Sequence, residues 1–188
     1  RNVVIHSENP TGTRAHTLFT QRSSLDIRYT TFKDLGRTTI DPLNDQTNHI
    51  GRYPIHMHHL LGPILTPSNG YQFTLIGNAV YDSNSDLSRF KWGITVHGSH
   101  YGLVKDNVMY NIGGSHFVTE DGSESFNVIE RNFAVRGEGK GDRQGSGFPG
   151  AEGVGFWFRG TNNYVHDNVA ANLSEGTGGV EAAYGFKF

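Results

Sequence analysis

Three short groups hold the residues whose types and spacing could do chemistry: Arg52-Tyr53-Pro54-Ile55-His56-Met57-His58-His59, Thr95-Val96-His97-Gly98 with His100, and Thr119-Glu120-Asp121-Gly122 with Glu124. Alternate side chains of an extended strand share a face, so His56 and His58 point one way and Ile55 and Met57 the other. Imidazoles titrate near neutrality and ligate first-row metals, which makes a His-x-His strand either an acid–base pair or part of a metal site. His58 and His97 are the candidate proton carriers, Asp121 the carboxylate that orients one of them, and Glu120 a second carboxylate beside it. His56, His58 and His97 are the candidate ligands of a divalent ion, which Asp121 could join, and such an ion could polarise a glycosidic oxygen or a uronate carboxylate. Arg52 and Arg159 could hold a substrate carboxylate, and Trp157 could stack on a sugar ring. The competing reading makes the imidazoles hydrogen-bonded structural stacks, the acidic pair a turn cap and Trp157 a core aromatic.

Chemistry by these groups needs a scaffold that brings distant stretches together, and an internal repeat supplies one. RYTTFKD (28–34), IGNAVYD (76–82), KDNVMYN (105–111), ERNFAVR (130–136) and HDNVAAN (166–172) share one phase, with Thr30 standing where the others place Asn78, Asn107, Asn132 and Asn168. Ahead of each lies another short apolar run: AHTLFT (15–20), YPIHMHH (53–59), GITVHG (93–98), FVTEDG (117–122) and VGFWFRG (154–160); VEAAYGFKF begins a further unit. Asn107 and Asn132 are twenty-five residues apart with only β-type alternation between them. A unit of that length cannot bury its apolar face alone, so successive copies must stack. The expected fold is all-β, a right-handed single-stranded parallel β-helix of about five to six coils forming one domain over 1–188. Asparagine at each bend is expected to adopt left-handed geometry and to hydrogen-bond to its neighbours as a ladder. Aligning the turn glycines Gly98, Gly122 and Gly160 places His97, Asp121 and Arg159 in one column and Val96, Glu120 and Phe158 in the next, with Trp157 outward between inward Phe156 and Phe158. Polar insertions at 35–51, 83–91 and 137–152 leave the repeat at one phase and are expected to wall one edge of a groove.

Composition narrows the function further. A net charge of -2, with sixteen Lys and Arg scattered along 188 residues, argues against nucleic acid as a partner. Hydrophobic content of 35% and twenty-five Gly fit a turn-rich β chain, and no apolar segment is long enough to span a bilayer as a helix. Cysteine is absent, which removes disulfides and thiolate chemistry. The start at Arg1 and the end inside a strand pattern at Phe188 read as an excerpt of a longer chain.

The stretches RAHTLFTQRSSLDIRYTTFKDLG (14–36), GRYPIHMHH (51–59) and GITVHGSHYGLVKDNVMYNIGGSHFVTEDGSESFNVIERNFAV (93–135) resemble the parallel β-helix region of the G8-domain family, which comprises secreted and transmembrane hyaluronidase-type proteins, fibrocystin and fibrocystin-like proteins. The resemblance implies a right-handed β-helix working outside the cell or at its surface and, for some members, turnover of hyaluronan. Arg52, His56, His58, His97, Glu120 and Asp121 match family pattern positions. Met57 stands where animal members commonly have Phe, the 137–152 insertion has no counterpart, the G8 module is outside this stretch, and the lack of cysteine suits a microbial relative. Two functions are therefore expected: a hydrolase or lyase acting on an acidic glycan such as a hyaluronan-like or pectic polymer, or a non-catalytic carbohydrate-binding or adhesion module.

Overall fold

Short strands with apolar side chains at every second position can bury one face each, and stacking satisfies both that face and the strand edges. The computed structural model describes residues 3–12, 14–36, 51–83, 92–139, 153–175 and 183–188. Strands β1 to β17, in chain order, form three parallel sheets, and no helix occurs among the described residues. Sheet 1 stacks β2 (Leu18–Gln21), β5 (Ile55–Leu60), β8 (Ile94–His97), β11 (Phe117–Thr119), β14 (Phe156–Phe158) and β17 (Phe186–Lys187). Sheet 2 stacks β3 (Leu25–Arg28), β6 (Phe73–Ile76), β9 (Gly102–Lys105), β12 (Val128–Glu130) and β15 (Tyr164–His166). Sheet 3 stacks β1 (Val3–His6), β4 (Thr30–Lys33), β7 (Ala79–Tyr81), β10 (Val108–Tyr110), β13 (Phe133–Glu138) and β16 (Val169–Ser174). The chain visits the sheets in the order 1, 2, 3, and every named pairing is parallel, the arrangement of a β-helix.

The core is the inside of this stack. Ile55, Met57, Ile94, Val96, Phe117, Phe156 and Phe158 come from sheet 1, Leu75, Val104 and Ile129 from sheet 2, and Phe32, Val80, Met109 and Ala134 from sheet 3. Registered pairing keeps like positions in files, such as Leu75 on Val104 on Ile129 on Val165. A one-residue slip would turn a whole strand's apolar set outward, so the core fixes the register.

The corner before sheet 3 is held by polar side chains. Asn78 donates through Nδ2 to Asn107 Oδ1 (3.0 Å), Asn107 to Asn132 Oδ1 (2.9 Å) and Asn132 to Asn168 Oδ1 (3.0 Å). The same oxygens accept the backbone N–H groups of Asn78, Asn107 and Asn132, and Thr30 N donates to Asn78 Oδ1. Left-handed geometry falls on the preceding residue and not on the asparagine: Tyr29, Gly77, Asp106, Arg131 and Asp167 carry φ between 51° and 66°. The bend is made one residue early, leaving each asparagine extended so that its amide turns into the corner and replaces backbone partners the bend removes.

A second polar tie fastens the chain ahead of β2 to the end of β7. Arg14 pairs in a fork with Asp82, at 2.7 and 3.2 Å, and both side chains are fully covered. The insertions expected to wall a groove fall largely at 37–50, 84–91 and 140–152, outside the described residues.

Candidate functional site on the outer face of sheet 1

The residues opposite the core on sheet 1 form two files. Leu18, His56, Thr95, Val118, Trp157 and Lys187 make one. Thr20, His58 and His97 make the other, continued by Glu120 and Arg159 just beyond the paired ends of β11 and β14. Here the structure corrects the glycine alignment. Thr119 pairs with Val96 and Phe158 with Thr119, so Glu120, not Asp121, follows His97. Asp121 is an extra residue between the β11 strand position and its turn glycine, held in a turn whose Asp121 and Gly122 N–H groups both donate to Glu124.

Three imidazoles, His56, His58 and His97, and the Glu120 carboxyl meet on these files, with Asp121 beside them in the turn. The His56 and His97 rings lie 5.7 Å apart and nearly parallel, and His58 stands edge-on to both, at 5.1 and 4.6 Å. His56 Nδ1 lies 3.0 Å from the Gly51 carbonyl oxygen, and its Nε2 is 3.7 Å from Glu120 Oε2. His97 bridges the carboxylates, with Nδ1 3.1 Å from Glu120 Oε2 and Nε2 3.1 Å from Asp121 Oδ2. The 3.1 Å approach to Glu120 is out of hydrogen-bond geometry, and His56 Nε2, His97 Nδ1, Glu120 Oε2 and Thr95 Oγ1 are all buried without a hydrogen bond.

Burial dominates the electrostatics. It pushes His56 down to about 3 and lowers His58 and His97 from the usual imidazole range. Burial, reinforced by Asp121 and Glu124, raises Glu120 to about 7, against the pull of Arg159 and of the Tyr53 hydroxyl. The cluster therefore holds neutral imidazoles facing a carboxyl group able to gain or release a proton near neutrality.

Each sequence-derived candidate has a definite place. His56, His58, His97, Glu120 and Asp121 come together. Arg159 lies beside them, bonded through Nη1 to the Glu120 carbonyl and seated 5.3 Å from the Trp157 ring centre, with the Lys187 ammonium 5.2 Å from the same ring. Trp157 points out of the coil yet is only 7% exposed, packed with Tyr53, Trp92, Val118 and Val154 in a second apolar cluster. Arg52 is half-buried at the entry to β5.

Three residues of the sequence groups that had been given no role of their own also take part. Tyr53 stacks on Trp92 and meets His56 edge-on, each at 4.9 Å, and faces Glu120. Thr95 shares a file with His56. His59 is bulged, because Thr20 pairs with His58 and Gln21 with Leu60; with φ of 48°, its ring lies 4.6 Å from both His58 and His97. Strict alternation would have sent His59 inward, and no local residue pattern marks the bulge.

A family model described as the CEMIP beta-helix matches residues 14–181. The chain belongs to the CEMIP beta-helix family. Fibrocystin-L of Mus musculus is 32% identical over 126 residues, 67% of this chain and 3% of that protein. The cell migration-inducing and hyaluronan-binding protein of Mus musculus is 39% identical over 82 residues, 43% of this chain and 6% of that protein. Cell surface hyaluronidase CEMIP2 of Homo sapiens is 29% identical over 113 residues, 60% of this chain and 7% of that protein. The chain thus spans a small part of the length of these relatives, and no solved structure matches it.

Proposed function

We propose that this β-helix, wound right-handed, works outside the cell on an acidic polysaccharide of the hyaluronan or pectic kind, bound along the outer face of sheet 1. The observation that carries the reading is the joining of two features on that face: the imidazole–carboxyl cluster of His56, His58, His97, Glu120 and Asp121, and the basic aromatic step of Arg159, Trp157 and Lys187. Arg159 and Lys187 offer positive charge to uronate carboxylates, and Arg52, at the entry to β5, is the further candidate for that role. His58, half-exposed at the rim, is placed to exchange a proton with a glycan oxygen, while Asp121 orients His97 and Glu120 completes the polar floor. Two relatives whose names carry hyaluronan binding and hyaluronidase activity support the substrate class.

A binding or adhesion module is the second reading, favoured by one feature: Glu124 is wholly engaged by the Gly98, Asp121 and Gly122 N–H groups, so part of the acidic cluster serves the turns. Incubation with hyaluronan and polygalacturonate, followed by size analysis, reducing-end counting and absorbance of unsaturated uronates, separates the two and distinguishes hydrolase from lyase. We expect shortened chains, with turnover lost in His58→Ala at unchanged melting temperature. Full-length polymer retained on the protein would establish the binding module, and neither cleavage nor retention would overturn both.

A further inference from the structure

We propose that His56 Nε2, His97 Nδ1 and Glu120 Oε2 form a binding site for one zinc-class divalent ion. This inference concerns ion binding and stands whether or not the face turns over a glycan. One ligand atom from each of these residues lies within 4.8 Å of the others, and Glu120 Oε2 is 3.1 Å from His97 Nδ1 and 3.7 Å from His56 Nε2. Ligands at zinc distances of about 2.0–2.1 Å in tetrahedral array are roughly 3.3 Å apart, which these separations bracket.

The hydrogen-bond contacts around the two rings leave the converging atoms suited to a cation. A carbonyl oxygen only accepts, so the contact with Gly51 assigns the His56 proton to Nδ1 and leaves Nε2 as a lone pair. Asp121 beside His97 Nε2 favours the proton there, which leaves Nδ1 as a second lone pair. When Glu120 is ionised, two lone pairs and a carboxylate oxygen face one another in a buried place with no hydrogen bond joining them. Such an array is repulsive when empty, and an ion supplies the missing charge. Gly51 and Asp121 are the outer partners that zinc-bound histidines ordinarily have: a backbone carbonyl for one ring and a carboxylate for the other. The two-nitrogen, one-oxygen donor set suits zinc or a neighbouring first-row ion; calcium and magnesium favour oxygen alone.

His58, His59 and His97 make a second grouping with compatible spacing, but it is more exposed. The test distinguishes the two. The full chain is stripped with chelator and titrated with zinc chloride, and bound metal is measured by elemental analysis together with the thermal shift. We expect one zinc per chain and a rise in melting temperature. Glu120→Gln should lower affinity by more than the roughly 10–100-fold typical of losing an outer partner, Asp121→Asn should lower it by about that 10–100-fold, and His58→Ala and His59→Ala should leave one ion bound. Asp121 is exposed enough that its amide variant should fold even if Glu120→Gln does not. Absence of zinc uptake by the unaltered protein, unchanged affinity in folded Glu120→Gln or in Asp121→Asn, or loss of zinc in His58→Ala or His59→Ala would overturn the proposal. A protein that binds zinc but cleaves and retains no glycan would sink the functional reading and leave this one intact.

Discussion

Replacing Asn132 by Ala tests whether the corner asparagines stabilise the stack or merely mark bends. The Asn132 side chain donates to Val104 O at 2.9 Å and Asn168 Oδ1 at 3.0 Å, and accepts from Asn107 N at 3.0 Å and Asn107 Nδ2 at 2.9 Å. Asn107 is fully buried, so truncation leaves its backbone N–H with neither a protein partner nor water. One orphaned buried donor costs about 1–3 kcal/mol and each net hydrogen bond about 0.5–1.5 kcal/mol. Because these losses share groups and do not add in full, we expect about 3–5 kcal/mol, a large fraction of the 5–15 kcal/mol typical of a domain. Asn168→Ala is the control. It also removes four bonds, to Asn132 N, Asn132 Nδ2, Ile129 O and His166 O, but at a half-buried position where water can substitute. Urea unfolding of both variants followed by circular dichroism should place Asn132→Ala at least about 2 kcal/mol below Asn168→Ala. Equal losses, within the roughly 0.5 kcal/mol spread of surface substitutions, would refute the reasoning.

Further outcomes follow from other packed positions. Gly102 pairs with Phe73, and a Cβ there would lie 1.9 Å from Phe73 Cζ, so Gly102→Ala should cost about 1–3 kcal/mol or more, read as a lowered melting temperature. Asp82→Ala strands the covered Arg14 guanidinium and should cost about 3–5 kcal/mol in urea, whereas Arg14→Met with Asp82→Leu should recover much of that loss. Burial depresses His116 from 6.5 to about 4. Its folded form therefore stays neutral while the unfolded form gains a proton, so its contribution is complete above pH 6.5 and lost as pH falls toward 4. The slope is about 1.4 kcal/mol per pH unit, roughly 3 kcal/mol in all, and His116→Gln should flatten the stability profile in that window by this amount.

What the sequence determined by itself is the class of fold. Alternating apolar residues in short runs, and asparagines returning at one phase with no helical periodicity between them, dictate strands that must stack in parallel, because each unit is too short to enclose a core. The motif residues His56, His58, His97, Glu120 and Asp121 were legible for the same reason: the family pattern and the repeat lie in one line of text. Their mutual geometry was not. Whether Glu120 or Asp121 continues the His97 file depends on one residue added in the β11 turn, and the presence of His59 beside His58 depends on one bulge against β2. Both are settled by hydrogen bonds between coils that are 25 or more residues apart, such as those joining Gly98 to Glu124 and Arg159 to Thr119. Local sequence carries no record of such pairing, because a period of two looks the same after a register shift of two, while the register observed is the one that buries Val96, Thr119 and Phe158 in a single file.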